Sequence, residues 1–234
     1  FDQGSGSGLG TIDDKTPTAA EEIWDGIDTD GTNGAMGLVG AAGNSGVWNY
    51  INTFAGITFN GAARKGTGAK NSDGASSGAG QGAWDFALTS AAGGLAYGVG
   101  YGEAETGEIS STTGGSDVHS TVFGNYSMGP VTAGVQFSNI ENSVNAGIDE
   151  RTTAWGLSMN INENLSVSYG EREVEFDRAG VGADTTEDGQ GVAVAYTMGS
   201  IKIAGNRNEV DTNDGTAGDA GKDAMTEIAV SFAF

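Results

Sequence analysis

Seven of the eight carboxylates in the first 46 residues crowd between positions 13 and 30: Asp13, Asp14, Glu21, Glu22, Asp25, Asp28 and Asp30. Acidic side chains gathered on one segment do electrostatic rather than covalent chemistry, raising the local concentration of cations. Within them, Asp28-Thr-Asp-Gly-Thr-Asn33-Gly34 places oxygen ligands at every other position around a glycine that allows a tight turn, like the opening of a calcium loop. The distal bidentate Glu of an EF-hand is missing, so two readings of Asp28, Asp30 and Asn33 stay open. One is a divalent-ion site, with calcium as the candidate, and the other an ordinary series of Asx turns. Asp211, Asn213, Asp214 and Asp219 repeat the pattern more weakly.

Catalysis by nucleophile or acid–base pair has little to work with. The chain holds no Cys and one His, and a hydrolase needs a base positioned by a third group. His119, beside Asp117 at a strand start, reads as a rim residue. Gly4-Ser-Gly-Ser-Gly-Leu-Gly10 misses the dinucleotide spacing and follows no strand, which makes it a flexible hinge rather than a phosphate cradle. The reading is of a protein that is not an enzyme and requires no cofactor. With 31 acidic residues against 10 basic ones, a net charge of −21 and no basic patch, nucleic acid is excluded as a partner.

The elements that position these carboxylates are strands. Period-two segments bounded by turn residues are predicted near 47–54, 56–64, 83–90, 94–103, 117–127, 131–140, 151–161, 164–176, 190–198, 200–210 and 224–234. Trp84, Phe86 and Leu88 share one side of their strand. Leu95, Tyr97, Val99 and Tyr101 oppose Gly94, Ala96, Gly98 and Gly100, and Val131, Ala133, Val135 and Phe137 oppose Thr132, Gly134, Gln136 and Ser138. The last strand alternates Ile228, Val230, Phe232 and Phe234 with Ala229, Ser231 and Ala233. Strands of about eight to thirteen residues match the roughly 9 to 11 that cross a bilayer at a tilt. The segments at 47–54 and 117–127 have ambiguous parity.

A soluble antiparallel sheet uses the same alternation. The links separate the two readings. Ala55, 91–93, 128–130, 162–163 and Gly199 are tight, and between them come long links rich in Gly, Ser, Asp and Thr. Short and long alternate without a break, as they do when one rim faces the periplasm and the other the outside. Composition agrees. The chain has 42 Gly, 2 Pro and only 37% hydrophobic residues, and a barrel that keeps water inside needs only one apolar face per strand. Tyr126, Tyr196, Phe137 and Phe234 are expected in an aromatic girdle. Closed bacterial barrels have even strand numbers, so eleven strands ending on the periplasmic side predict further strands before Phe1.

Residues 1–46 show no strand pattern, yet Leu9, Ile12, Ile23, Trp24, Ile27, Met36, Leu38 and Val39 are apolar anchors that want burial. Thr16-Pro17, followed by Glu21 and Glu22, reads as the start of a short helix. Such a loop is expected to pack on the inner wall of the barrel.

The acidic loop followed by Val47-Trp-Asn-Tyr-Ile-Asn-Thr-Phe-Ala-Gly-Ile-Thr-Phe59, the turn rhythm and the aromatic last strand resemble the C-terminal two-thirds of a Gram-negative general porin of the alphaproteobacterial, sixteen-stranded type. The resemblance implies an all-β transmembrane antiparallel barrel, with about 11 of 16 strands in residues 47–234 and residues 1–46 as the constriction loop folded into the pore. It implies an outer-membrane channel for passive diffusion of small hydrophilic solutes and ions. A transverse field would run between the seven loop carboxylates and the wall bases Arg64, Arg172 and Lys202, with cations favoured. The implied partners are outer-membrane lipid and lipopolysaccharide, two further copies in a homotrimer, and the barrel-assembly machinery reached through the strand ending in Phe234. The other readings are a plugged or adhesive barrel that binds a partner through its long loops, and a calcium-binding β-solenoid, for which the nonapeptide repeat is missing.

Overall fold

The computed structural model describes residues 8–27, 38–43, 46–66, 82–106, 115–142, 148–178, 182–212 and 221–233. Eleven strands form one antiparallel sheet in chain order: β1 (Trp48–Phe54), β2 (Ile57–Arg64), β3 (Ala83–Ala92), β4 (Leu95–Thr106), β5 (Gly115–Met128), β6 (Val131–Glu141), β7 (Asp149–Asn160), β8 (Leu165–Asp177), β9 (Thr185–Met198), β10 (Ile201–Asp211) and β11 (Asp223–Phe232). Each strand pairs with its sequence neighbours, so every second link falls at the same end of the sheet.

The tight links are built by local chemistry. At Ala55-Gly56 and Gly93-Gly94 two successive residues have positive φ, the backbone that lets a two-residue turn follow the twist of the strands. Between β7 and β8 the Asn162 side chain accepts hydrogen bonds from the Asn164 and Leu165 amides, at 2.9 and 3.0 Å, in an Asx turn. The segments of ambiguous parity are β1 and β5. In β5 the outward positions are Val122, Gly124 and Tyr126, whereas Phe123 points inward and is buried against Leu9, Ile12, Val39 and Ala87. An apolar inward residue confuses a two-solvent pattern because its partner is the distant loop.

The outward face is greasy and uncovered. Trp48, Trp84, Leu95, Tyr97, Val99, Val194, Ile228 and Val230 all stand exposed on it. Tyr126 and Tyr196 lie outward beside the tight links, and Phe137 sits further into its strand. Toward the long links a second aromatic row contains Trp84, Tyr101, Trp155 and Tyr169. There the Tyr101 and Tyr169 hydroxyls donate to Glu103 and Glu171, at 2.9 and 2.6 Å. Beyond it the outward side chains turn polar, as in Glu173, Glu175 and Asp188. An apolar band between two aromatic rows is the outer surface of a barrel strand in lipid.

Candidate functional site: the loop on the inner wall

Residues 8–27 cross the inner face from β2 to β11, and residues 38–43 come back. Leu9, Ile12 and Val39 pack on Ala87 and Phe123, with Ile140 beside them. Farther along, Ile23 and Trp24 pack on Ala154, with Leu38 beside them. Ala42 meets Val47 and Ala62. The wall clears room for this path with glycine. A Cβ at Gly156 would sit 2.7 Å from the Pro17 carbonyl oxygen, and one at Gly100 would sit 2.2 Å from Leu9 Cδ1.

The wall holds the loop by its backbone. Gly8 N donates to Asn60 Oδ1 at 3.1 Å, and Lys15 N to Gln136 Oε1 at 2.6 Å. Gln136 Nε2 donates to the Ile12 and Asp13 carbonyls at 2.8 and 2.9 Å, and Asn125 Nδ2 to the Lys15 carbonyl at 2.6 Å. Ala19 N donates to Ser168 Oγ at 2.8 Å. Asn208 Nδ2 donates to the carbonyls of Glu22 and Asp25, at 2.9 and 3.0 Å. Asp85 accepts from Leu9 N at 3.0 Å and Ala42 N at 2.7 Å, charge-assisted bonds that contribute about 1.5 to 3 kcal/mol each.

The expected helix after Thr16 is not formed. The segment runs as successive turns, closed by bonds such as Asp25 N to Glu22 O at 3.1 Å. Ala20 N, the first amide that a helix capped at Thr16 would place in its ladder, goes instead to Thr18 Oγ1 at 3.3 Å, and the Glu22 and Asp25 carbonyls are taken by Asn208, so the backbone serves side chains instead of a helical ladder. The one helical turn among the described residues is a 3-10 turn at Gly8–Thr11. The glycine-rich stretch is therefore no hinge at Gly8–Gly10. A Cβ at Gly8 would fall 1.7 Å from Asp85 Oδ1, and Leu9 is fully buried. His119 is likewise no simple rim residue, because its half-buried Nδ1 accepts from Gly40 N at 3.3 Å and holds the returning arm.

Because the wall uses the loop backbone, no wall base pairs with a loop carboxylate among the described residues. Asp13, Asp14, Glu22 and Asp25 are half-buried and Glu21 is exposed. Asp14 pairs with Lys15, at 3.8 Å. Burial, then the charge of Asp14 and a hydrogen bond with it, push Asp13 up to about 7. Burial also pushes Glu22 up, helped by Asp14, Glu21 and Asp25. Asp28, Asp30 and Asn33 lie outside the described residues.

The three wall bases are differently placed. Arg64 lies on the inward face of β2 at its long-link end, and Lys202 on the inward face of β10 beside the tight turn. Arg172, also inward on β8, is buried, bonded to Glu187 on β9, and capped by the Trp24 ring 5.3 Å from its guanidinium carbon. It works as a clamp for the loop, with its charge balanced by Glu187. The wall residues that sequence reasoning missed, Asn60, Asp85, Asn125, Gln136, Ser168 and Asn208, had one visible signal. Each is a short polar side chain at an inward position of a period-two strand.

A family model described as Gram-negative porin matches residues 5–234, and the chain belongs to that family. Its members are channel proteins of the bacterial outer membrane rather than enzymes. Among solved structures, the chain is similar to the anion-selective porin from Comamonas acidovorans, with a TM-score of 0.61 and 12% identity over 82% of this chain. The chain spans 60% of that porin's length. It is also similar to OmpT of Vibrio cholerae. A loop-deletion mutant gives a TM-score of 0.67 and 16% identity over 97% of this chain and 73% of that one. The trimer form gives 0.65 and 15% over 99% and 76%. The fold is thus the antiparallel transmembrane barrel of porins. Among curated proteins none matches this sequence.

Proposed function

We propose that the protein is a water-filled porin channel through which small hydrophilic solutes and ions diffuse passively, with cations preferred. The observation that carries the sign of selectivity is the way the loop is held. Backbone bonds fix it, so no wall base takes up the side chains of Asp13, Asp14, Glu21, Glu22 and Asp25 among the described residues, while Arg172 is offset by Glu187 and the other inward bases described are Arg64, Arg178 and Lys202. Carboxylates lining a narrow passage favour cations over anions. The Comamonas acidovorans porin is described as anion-selective, and at 12% identity its likeness supports the fold and leaves the sign of selectivity to the residues here. The trimer form of Vibrio cholerae OmpT supports a homotrimer.

The test is current across a planar bilayer under a potassium chloride gradient. Openings in steps of three with a cation-selective reversal potential are expected. A silent bilayer with folded protein sinks the channel reading and favours a plugged barrel. An anion-selective potential keeps the channel and overturns the role of the loop carboxylates.

A further inference from the structure

Among the described residues, one wall side chain grips both arms of the loop. Asp85 Oδ1 takes the Leu9 amide of the outgoing arm and Oδ2 the Ala42 amide of the returning arm. The segment between those amides contains every loop carboxylate from Asp13 to Asp30. Asp85 is almost fully buried, at 2% exposure, so water does not compete for either oxygen. No base is paired with it among the described residues, and the two amides donate to its two oxygens. The surroundings are shaped for it. A Cβ at Gly8 would meet Asp85 Oδ1 at 1.7 Å, and one at Gly102 would meet Asp85 Cβ at 2.3 Å. Two oxygens on one rigid carboxylate fix the separation of the arms, and with it the reach of the acidic segment between them.

We propose that Asp85 is the positioning residue of the constriction, setting where the loop carboxylates sit in the lumen and thereby the channel's ion selectivity without lining the path itself. The inference about selectivity rests on the channel reading. The placement of the loop does not. In Asp85→Asn one acceptor becomes an NH₂ donor facing an amide N–H, so one arm must let go while volume is conserved.

The experiment combines hydrogen exchange at the Leu9 and Ala42 amides with the reversal potential of the reconstituted full chain. In Asp85→Asn, exchange at one or both amides is expected to rise on the order of tenfold, the loss of one hydrogen bond. The cation-to-anion permeability ratio is expected to fall about twofold or more as the carboxylates spread from the path. A disulfide between Ala42→Cys and Ala62→Cys, which pack together in a chain without cysteine, is expected to restore the ratio in the Asp85→Asn background. Unchanged exchange and an unchanged ratio in folded Asp85→Asn overturn the proposal. If that variant does not fold, Gly8→Ala decides. It drives a methyl into Asp85 Oδ1 from a left-handed backbone, with the same loss of selectivity expected, and wild-type selectivity there overturns the proposal. A wild-type chain that is silent in the bilayer sinks the channel reading, while exchange at the two amides still decides whether Asp85 places the loop.

Discussion

On β9, Val192, Val194 and Tyr196 point outward and are roughly half exposed, while the residues that alternate with them, Gly191, Ala193 and Ala195, are buried. The same strand thus writes two surfaces with opposite rules. Outside, large apolar groups stand uncovered because their solvent is hydrocarbon. Inside, side chains are small where the loop backbone comes close, as at Gly156 and Gly191, and polar where they bond it, as at Gln136 and Asn208. The outer face needs only a composition, whereas the inner face needs particular residues at particular heights.

The two faces each carry an arginine–glutamate pair, and breaking them is the sharpest test of this difference. Arg172 with Glu187 is buried on the inner face, at 3% side-chain exposure for each. Arg207 with Glu209, at 2.8 Å, is about half exposed on the outer face. Arg172→Ala removes the buried cation that faces Glu187 and is expected to cost about 3 to 5 kcal/mol in urea unfolding from lipid vesicles. Arg207→Ala, at the level of Tyr169 where the outward face turns polar and meets water, is expected to cost less than about 1 kcal/mol. Replacing Arg172 and Glu187 together by Met and Leu is expected to recover most of the loss, since the pair's desolvation is then removed as well. Equal costs for the two single variants would erase the distinction between the faces.

A charge in the outward band comes next. Val194→Lys places an ammonium among lipid chains and is expected to lower stability by about 2 to 4 kcal/mol in the same unfolding measurement. Ala193→Ser, one residue away on the inner face, is expected to change it by much less. Gly156→Ala follows. Its methyl would lie 2.7 Å from the Pro17 carbonyl oxygen, so the loop must shift, at an overpacking cost of about 1 to 3 kcal/mol. Because the displaced segment carries Asp13, Asp14, Glu21 and Glu22, the reversal potential is expected to move as well. A lower stability with an untouched reversal potential would mean that these carboxylates lie off the path.

This contrast also explains what the sequence showed. The outer face was legible because lipid imposes one rule on every strand, so Leu95, Tyr97 and Val99 or Val192, Val194 and Tyr196 announce their side by alternation alone. The turns were legible because Gly93-Gly94 and Asn162 act locally. The inner face was legible only as "small or polar". Asp85 and Gln136 look like any other wet-facing residues, since what they bind lies 76 and 124 residues away in the chain. The helix expected after Thr16 failed for a related reason, because the Glu22 and Asp25 carbonyls that its ladder would use accept from Asn208, 186 and 183 residues away in the chain. Arg172 was found by parity on the inward face, but its neutralisation by Glu187 depends on the register between β8 and β9, which alternation does not encode.

The smallest effect, and the one that separates the lumen most cleanly from the wall, is a titration. Asp13 is pushed up to about 7 by burial first, then by Asp14, whose side chain shares a hydrogen bond with it. Below about 7 Asp13 is largely neutral, and above it Asp13 carries a negative charge. Cation preference is therefore expected to rise as pH goes from about 6 to about 8, and Asp13→Asn to flatten the step at the lower value. Stability moves in the opposite sense. A carboxyl whose folded value exceeds its unfolded one of 3.8 binds its proton more tightly when folded. Its contribution is thus full below about pH 4 and is lost as pH rises through about 7. Glu22, also raised by burial, adds to the trend in the same direction. A reversal potential that rises through this window in the wild type and stays level in Asp13→Asn ties the charge on the loop to permeation. A level wild-type curve would mean that Asp13 is fully ionised in open water, and the packing of the loop against Gln136 and Asn125 would then have to be looser than the bonds to Lys15 and Asp13 make it.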